Sequence, residues 1–187
     1  EDKHQLREAL TEYVRALVTT DFYEEDTYRA RRRLVTLSKR PGVSNQIAAA
    51  FIQERRRNKN DSFVLDYADF LDHAKRWPEA SRLLRNELAR SDSQEFLRRA
   101  LNLFADHNEV TGQVAALQRL TATATARRSE ISYRLRLAEI YSKNSQPNQA
   151  ATVSRALVQK YPTNYGVLTE VAEFYWRLGL RSNSLGV

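Results

Sequence analysis

Apolar residues recur at spacings of three and four along almost the whole chain. Leu6, Leu10, Tyr13 and Leu17 form one set, and Val64, Ala68 and Leu71 another. Leu83, Leu84 and Leu88 continue the pattern, as do Leu97, Leu101 and Phe104, and then Leu168, Ala172 and Tyr175. Such a stripe predicts amphipathic helices, each with one buried and one solvated face. No stretch sustains a two-residue alternation, so strands are not expected. Breakers divide the pattern at Thr19–Phe22, Arg40–Asn45, Asn58–Asp61, Arg76–Pro78 and Ser91–Ser93. Further breaks fall at His107–Glu109, Ala124–Ser129, Asn144–Pro147 and Tyr161–Asn164. About ten helices of roughly twelve to sixteen residues result. Asp61, Ser93 and Asn164 are placed to accept bonds from unpaired amides of a first turn. Pro78 and Pro147 fall in first turns, where a missing N–H costs nothing.

A shift of about 34 residues superposes the C-terminal region on itself, setting Leu137 on Val171, Ala138 on Ala172, Glu139 on Glu173 and Tyr141 on Tyr175. Units of two helices then begin near residues 61, 94, 131 and 165, with about three extra residues around Thr123–Arg127. A small or apolar residue sits in the middle of each first helix (Ala68, Leu101, Ala138, Ala172), and a large one follows three later (Leu71, Phe104, Tyr141, Tyr175). A small residue opens the second helix at Ala80 and Ala150, with Gln113 the exception, and Trp77 or Val110 precedes it. Small residues let paired helices approach, and the large ones fill the space between units.

This combination resembles the tetratricopeptide repeat family. The unit from Ile131 to Asn164 carries it best, with Leu137, Ala138, Tyr141, Ala150, Leu157 and Pro162; the unit from Asp61 follows with Tyr67, Ala68, Trp77, Ala80 and Leu84. The unit from Gln94 is degenerate, and residues 27–60 form a further unit with Leu34, Leu37 and Ala48–Ala50. The resemblance implies an all-α fold, a right-handed superhelical solenoid of antiparallel helix pairs with about ten helices. The chain is then one array, with units near 27–60, 61–93, 94–130, 131–164 and a partial one at 165–187. Residues 1–19 take the place of the second helix of a truncated unit. With that parity, no initiating Met, and no polar capping face at either end, more repeats are expected on both sides.

Composition narrows the chemistry. The 187 residues are 42% hydrophobic and 28% charged, with 5 Gly and 4 Pro, which fits a globular helical chain and not a turn-rich sandwich. Cysteine is absent. That removes disulfides, thiolate metal sites and cysteine nucleophiles, and suits the bacterial periplasm or the cytoplasm alike. The longest apolar run, about Ile47–Ile52, is far short of a membrane span. The net charge of +7 divides as +4 before residue 60 (13 Lys/Arg against 9 Asp/Glu) and +3 after it (17 against 14). The arginine runs Arg29–Arg33 and Arg55–Arg57 carry that bias, although consecutive arginines spread around a helix and a basic C-terminus also suits the helix dipole. No Gly-x-Ser-x-Gly turn or Gly-rich phosphate loop is present. Asp69 and His73 are four apart but have no third ligand at a clear spacing, so His4, His73 and His107 are expected to be structural. Pairs such as Asp69/Asp72 read as an exposed helix face. No metal, cofactor or catalytic residue is expected.

In the family, first helices line a concave groove. Carried over, its positions are Ser62, Leu65, Asp69 and Asp72; Glu95, Arg98, Asn102 and Ala105; Ser132, Leu135, Glu139 and Ser142; Gly166, Thr169, Glu173 and Trp176. The first set is Tyr28, Arg31, Val35 and Ser38. The resemblance thus implies a non-catalytic scaffold that binds a partner protein or peptide through Arg31, Asp69, Arg98, Asn102, Glu139, Glu173 and Trp176. Trp and Arg are favoured interface anchors, while Trp176 also suits packing against a following helix. The carboxylate clamp of chaperone-binding members would fall on Leu65, Asp69, Arg99, Ser132 and Arg136, and only Arg136 matches. Degenerate cysteine-free arrays also resemble the periplasmic repeat regions of bacterial exopolysaccharide export proteins, which recruit polymer-modifying enzymes. The alternative is a nucleic-acid-binding helical repeat that uses the N-terminal arginine clusters; acidic groove residues oppose it. End-to-end self-association through unfinished faces is a further expectation.

Overall fold

The computed structural model describes residues 3–18, 24–57 and 61–177. Among them are ten helices and no strand. They are α1 (Lys3–Val18), α2 (Glu24–Ser38), α3 (Val43–Arg55), α4 (Asp61–His73), α5 (Trp77–Leu88), α6 (Gln94–Asp106), α7 (Val110–Ala122), α8 (Arg127–Lys143), α9 (Pro147–Lys160) and α10 (Tyr165–Arg177). The all-α class therefore holds, and so does the order of breaks among the described residues; the expected breaks at Thr19–Phe22 and Asn58–Asn60 lie outside them. Ser93 caps α6 by accepting from the Phe96 amide at 3.2 Å, and Asn164 caps α10 by accepting from the Val167 amide at 3.2 Å. Pro78 and Pro147 stand in the first turns of α5 and α9. The side chain of Asp61 lies outside the described residues.

Two helices start earlier than expected. Pro41 and Gly42 complete the turn before α3 by themselves, because Gly42 adopts a left-handed φ of 77°. Val43 is then already helical and buried. Helix α8 takes in Arg127–Ser129 because its first turn is anchored to the end of α9 through Glu130.

The chain folds as two compact units, Glu1–Ser91 and Asp92–Val187. In the first, α1 packs on both α2 and α3 and also reaches α4, while α4 and α5 form a hairpin. Its core centres on Phe51, whose ring stacks on Tyr67 at 4.6 Å and on Phe70 at 5.5 Å and meets Phe63 edge-on at 5.7 Å. In the second unit α6 pairs with α7 and α8 with α9, α7 also packs on α8, and α10 rests on α9 and α8.

The hairpins α4–α5, α6–α7 and α8–α9 share one turn. Lys75, Asn108 and Ser145 have φ of 64°, 52° and 58°. In each case the next amide reaches back to the large residue identified above: Arg76 N–H to Leu71 C=O (2.8 Å), Glu109 to Phe104 (2.8 Å) and Gln146 to Tyr141 (2.9 Å). This is a Schellman end, which satisfies the last carbonyls of the first helix. It sets the start of the second helix two residues after the left-handed position each time, at Trp77, Val110 and Pro147.

The hairpins close on small residues. Ala80 and Ala150 are fully buried. In α7 the small buried residue is Gly112, one place before Gln113, so the exception is a slip of register and not a loss of the feature. A Cβ on Gly112 would lie 2.2 Å from Cδ1 of Phe104, itself fully buried.

Gly112→Ala should therefore lower stability. The overpacking cost of about 1–3 kcal/mol exceeds the propensity gain of about 1 kcal/mol. Urea unfolding reads this, and Phe104→Leu added to Gly112→Ala should recover part of the loss. Ser145→Gly should act the other way. It relieves a left-handed non-glycine residue and should raise stability by up to about 1 kcal/mol after the unfolded-state entropy of glycine is counted.

Candidate functional site

Hairpin α8–α9 is held at its open end by one carboxylate. Glu130, in the first turn of α8, accepts from Lys160 Nζ (2.7 and 2.8 Å), Tyr161 Oη (2.8 Å) and Arg134 Nε (2.9 Å). Lys160 and Arg127 also lie over the Tyr161 ring, at 5.5 and 6.0 Å from its centre. Helix α10 then docks through Val167, Val171, Phe174 and Tyr175 onto Ala138, Ala150 and Leu157. The Tyr175 hydroxyl donates to the Ala151 carbonyl at 3.3 Å.

These two anchors leave a groove of about 480 Å³ between α8 and α10. Its floor is apolar: Ile131 and Leu135 from α8 and Phe174 from α10. Arg128 and Arg136 stand on the α8 side, and Glu170, Glu173 and Arg177 on the α10 side. All five are exposed, and none enters an ion pair or hydrogen bond among the described residues. Glu139 also lines the groove, and its charge is answered by Lys143 at 2.9 Å. Arg136 and Glu139 border a second cavity too, of about 360 Å³, against Asn108, Val110 and Gln113.

The charges of the first unit are arranged differently. Arg31 pairs with Asp66 (3.0 Å) and Asp69 (3.2 Å), although its Nε is buried without a partner. Arg55 pairs with Glu87 at 2.6 Å. The buried Glu54 is held by Arg57 (3.0 Å) and more loosely by Arg15 (3.5 Å). Arg76 grips Glu79 with two bonds of 2.6 Å and donates to Ser44 at 2.9 Å. A cavity of about 560 Å³ between α1 and α3 is larger than the α8–α10 groove. Its floor is alanine and its walls carry the amides of Asn45, Gln46 and Gln53 with one cation, Arg7, so it has no large apolar anchor surface and no opposed charges.

The seven residues expected to bind a partner therefore separate. Glu139 and Glu173 come together in the α8–α10 groove. Arg31 and Asp69 also meet, but as partners of each other, with Asp66 sharing the same guanidinium. Arg98 and Asn102 are exposed one turn apart on α6, and Arg98 Nε donates to the Gln94 carbonyl at 3.1 Å. Neither lines the groove. Trp176 is 57% exposed at the end of α10, outside the groove lining. Of the other groove positions, Ser132 and Leu135 line the groove as expected, and Ser62 lies outside the described side chains. The expected groove positions missed Arg128, Ile131, Arg136, Glu170, Phe174 and Arg177, of which Arg136 is named above only for the carboxylate clamp. A signal for them existed: Arg128, Ile131 and Arg136 lie three or four residues from one another or from Ser132 and Leu135, Glu170 and Arg177 lie three and four from Glu173, and Phe174 lies four after Glu170.

His73 Nδ1 lies 2.8 Å from the Asp69 carbonyl, one turn back. Among the described residues no cluster of three His, Asp or Glu side chains could hold a metal ion, and no helix is long and apolar enough to cross a membrane. No protein-family model matches the chain, and neither the curated proteins nor the solved structures contain a significant match.

The Glu130 cluster makes the hairpin sensitive to pH. The Lys160 hydrogen bond, followed by those of Tyr161 and Arg134, holds the Glu130 carboxyl below the ordinary glutamate value of 4.5. The same bond raises Lys160 above 10.5. A lowered carboxyl contributes stability that is present above 4.5 and is lost as pH falls through the folded-state value. Glu130→Gln should thus reduce the urea midpoint at pH 7, and the gap from the parent should close as the medium is taken well below pH 4.5.

Proposed function

We propose that this protein is a non-catalytic interaction scaffold, and that the α8–α10 groove docks a segment of a partner protein. The observation that carries this reading is an apolar floor beneath charges that the fold leaves unpaired. Elsewhere several guanidinium groups are tied to carboxylates, Arg31 and Arg55 across helices and Arg57 to Glu54 three residues back. Exposed charge around a concave apolar strip is what a protein ligand requires: the floor supplies burial, and the rim supplies orientation.

The three-fold use of one hairpin turn supports reading the hairpins as units of a tetratricopeptide-type solenoid, right-handed and superhelical as the sequence resemblance implies. Within that reading, a periplasmic scaffold that recruits a polymer-modifying enzyme for exopolysaccharide export is the narrower proposal. It draws on the resemblance alone. A nucleic-acid partner is less well supported. Arg31, Arg55 and Arg57 belong to the runs that would contact phosphate, and all three are engaged by Asp66, Asp69, Glu87 and Glu54.

Selection from a random peptide library tests the reading. Peptides enriched on the parent should lose tenfold or more in affinity on Leu135→Glu. They should bind Arg98→Glu unchanged, because Arg98 lies on α6 away from the groove. Binding that survives Leu135→Glu would overturn the groove. A steep fall of affinity with salt toward a labelled oligonucleotide, with no peptide enriched, would favour the nucleic-acid alternative.

A further inference from the structure

The groove has two walls of opposite charge that do not neutralise each other. Arg128 and Arg136 stand on α8, Glu170 and Glu173 on α10, and none of the four is paired among the described residues. Both walls line one space, so an occupant must meet both. We infer that the occupant is an extended segment whose acidic and basic side chains alternate, with carboxylates turned to α8 and cations to α10. This rests on the peptide-groove reading above and adds to it the charge order of the ligand.

The length of the groove suits an extended chain. Its α8 lining runs from Arg128 to Glu139, eleven steps or about 16 Å at the helical rise. An extended segment of about five or six residues covers that length at about 3.3 Å per residue.

The spacing of the charges selects alternation. Arg128 and Arg136 are eight residues apart on α8, about 12 Å. Side chains on one edge of an extended chain repeat about every 6.6 Å, so carboxylates at i and i+4, about 13 Å apart, reach both arginines. Residues at odd offsets then point to the other edge, where Glu170 and Glu173 stand. Cations there complete the second wall. A chain with its charges in blocks cannot do this, because no edge of it carries two carboxylates four residues apart. Arg177 extends the α10 side with a positive charge and suits a carboxylate near the end of the segment.

The probes are two capped octapeptides of equal composition, four Asp–Lys pairs in strict alternation and four Asp followed by four Lys. Binding is read from the methyl resonances of Ile131 and Leu135 in isotopically labelled protein. The alternating peptide should bind at least tenfold more tightly than the block peptide, with both floor methyls shifting and the preference shrinking at high salt. Arg128→Glu with Arg136→Glu should cost the alternating peptide tenfold or more and should not weaken the block peptide comparably. Both variants alter exposed side chains, and the comparison of the two peptides on the parent needs no variant at all. Equal affinity for the two orders, with the floor methyls shifting, would overturn the charge-order inference and leave the peptide groove standing. If neither octapeptide moves the floor methyls but a library-selected peptide does, charge alternation is again overturned. If no peptide moves them, both the inference and the groove reading fall.

Discussion

In each of the hairpins α4–α5, α6–α7 and α8–α9, the second helix turns a small buried residue toward the first. Ala80, Gly112 and Ala150 fill these places, and at Gly112 even one added carbon would meet the Phe104 ring. Close approach of paired helices is the constraint from which the other features follow. It brings the large residue of the first helix onto the second, and it fixes how little chain remains for the turn. The Schellman ends at Lys75, Asn108 and Ser145 are the compact solution, accepted although none is glycine. Once each hairpin is that tight, its outer faces become the surfaces on which the next helix must find a place. Helix α7 finds it against α8, and α10 against α9 and α8.

The groove is a by-product of this packing. Helix α10 places Val167, Val171, Phe174 and Tyr175 on the core of the α8–α9 hairpin, which leaves the opposite edge of its own helix short of α8. Phe174 belongs to both regions, with its ring in the core and one edge on the groove floor. The position of the floor is thus tied to the stability of the hairpin beneath it, and the Glu130 cluster contributes to that stability from the other end of α8. All of the groove lining comes from α8 and α10, with no loop residue among it.

Charge has two uses in this molecule. Across helices it joins elements: Arg31 to α4, Arg55 to α5, Lys160 to α8. Along the α8–α10 groove it is left open to solvent. Exposed pairs contribute little, typically below about 1 kcal/mol each. The clusters with a shielded carboxylate, such as Glu130 and Glu54, are therefore the ones that hold helices in register. The net positive charge by itself says nothing about a nucleic-acid partner, because a large part of the N-terminal arginine content is answered within the fold.

Helix number, breaks and caps were legible in the sequence because they depend on neighbours three or four residues away. The stripes of Leu97, Leu101 and Phe104, the caps at Ser93 and Asn164, and the prolines at Pro78 and Pro147 needed no knowledge of the rest of the chain. The small residue of the second helix was legible at Ala80 and Ala150 but misplaced in α7, where the turn is the same length and Gly112 stands third in the helix, not fourth. Four of the ten residues that line the groove, Ser132, Leu135, Glu139 and Glu173, were named by the positions that the repeat resemblance implies. What the sequence could not contain is which charges find each other. Arg31 and Asp66 lie 35 positions apart, and only the packing of α2 on α4 brings them within 3.0 Å. The same holds for Arg128 and Arg136 in the opposite sense. Nothing local distinguishes them from the arginines that are paired. Only the packing of α10 beside α8 decided that they line an open groove and not an ion pair between helices.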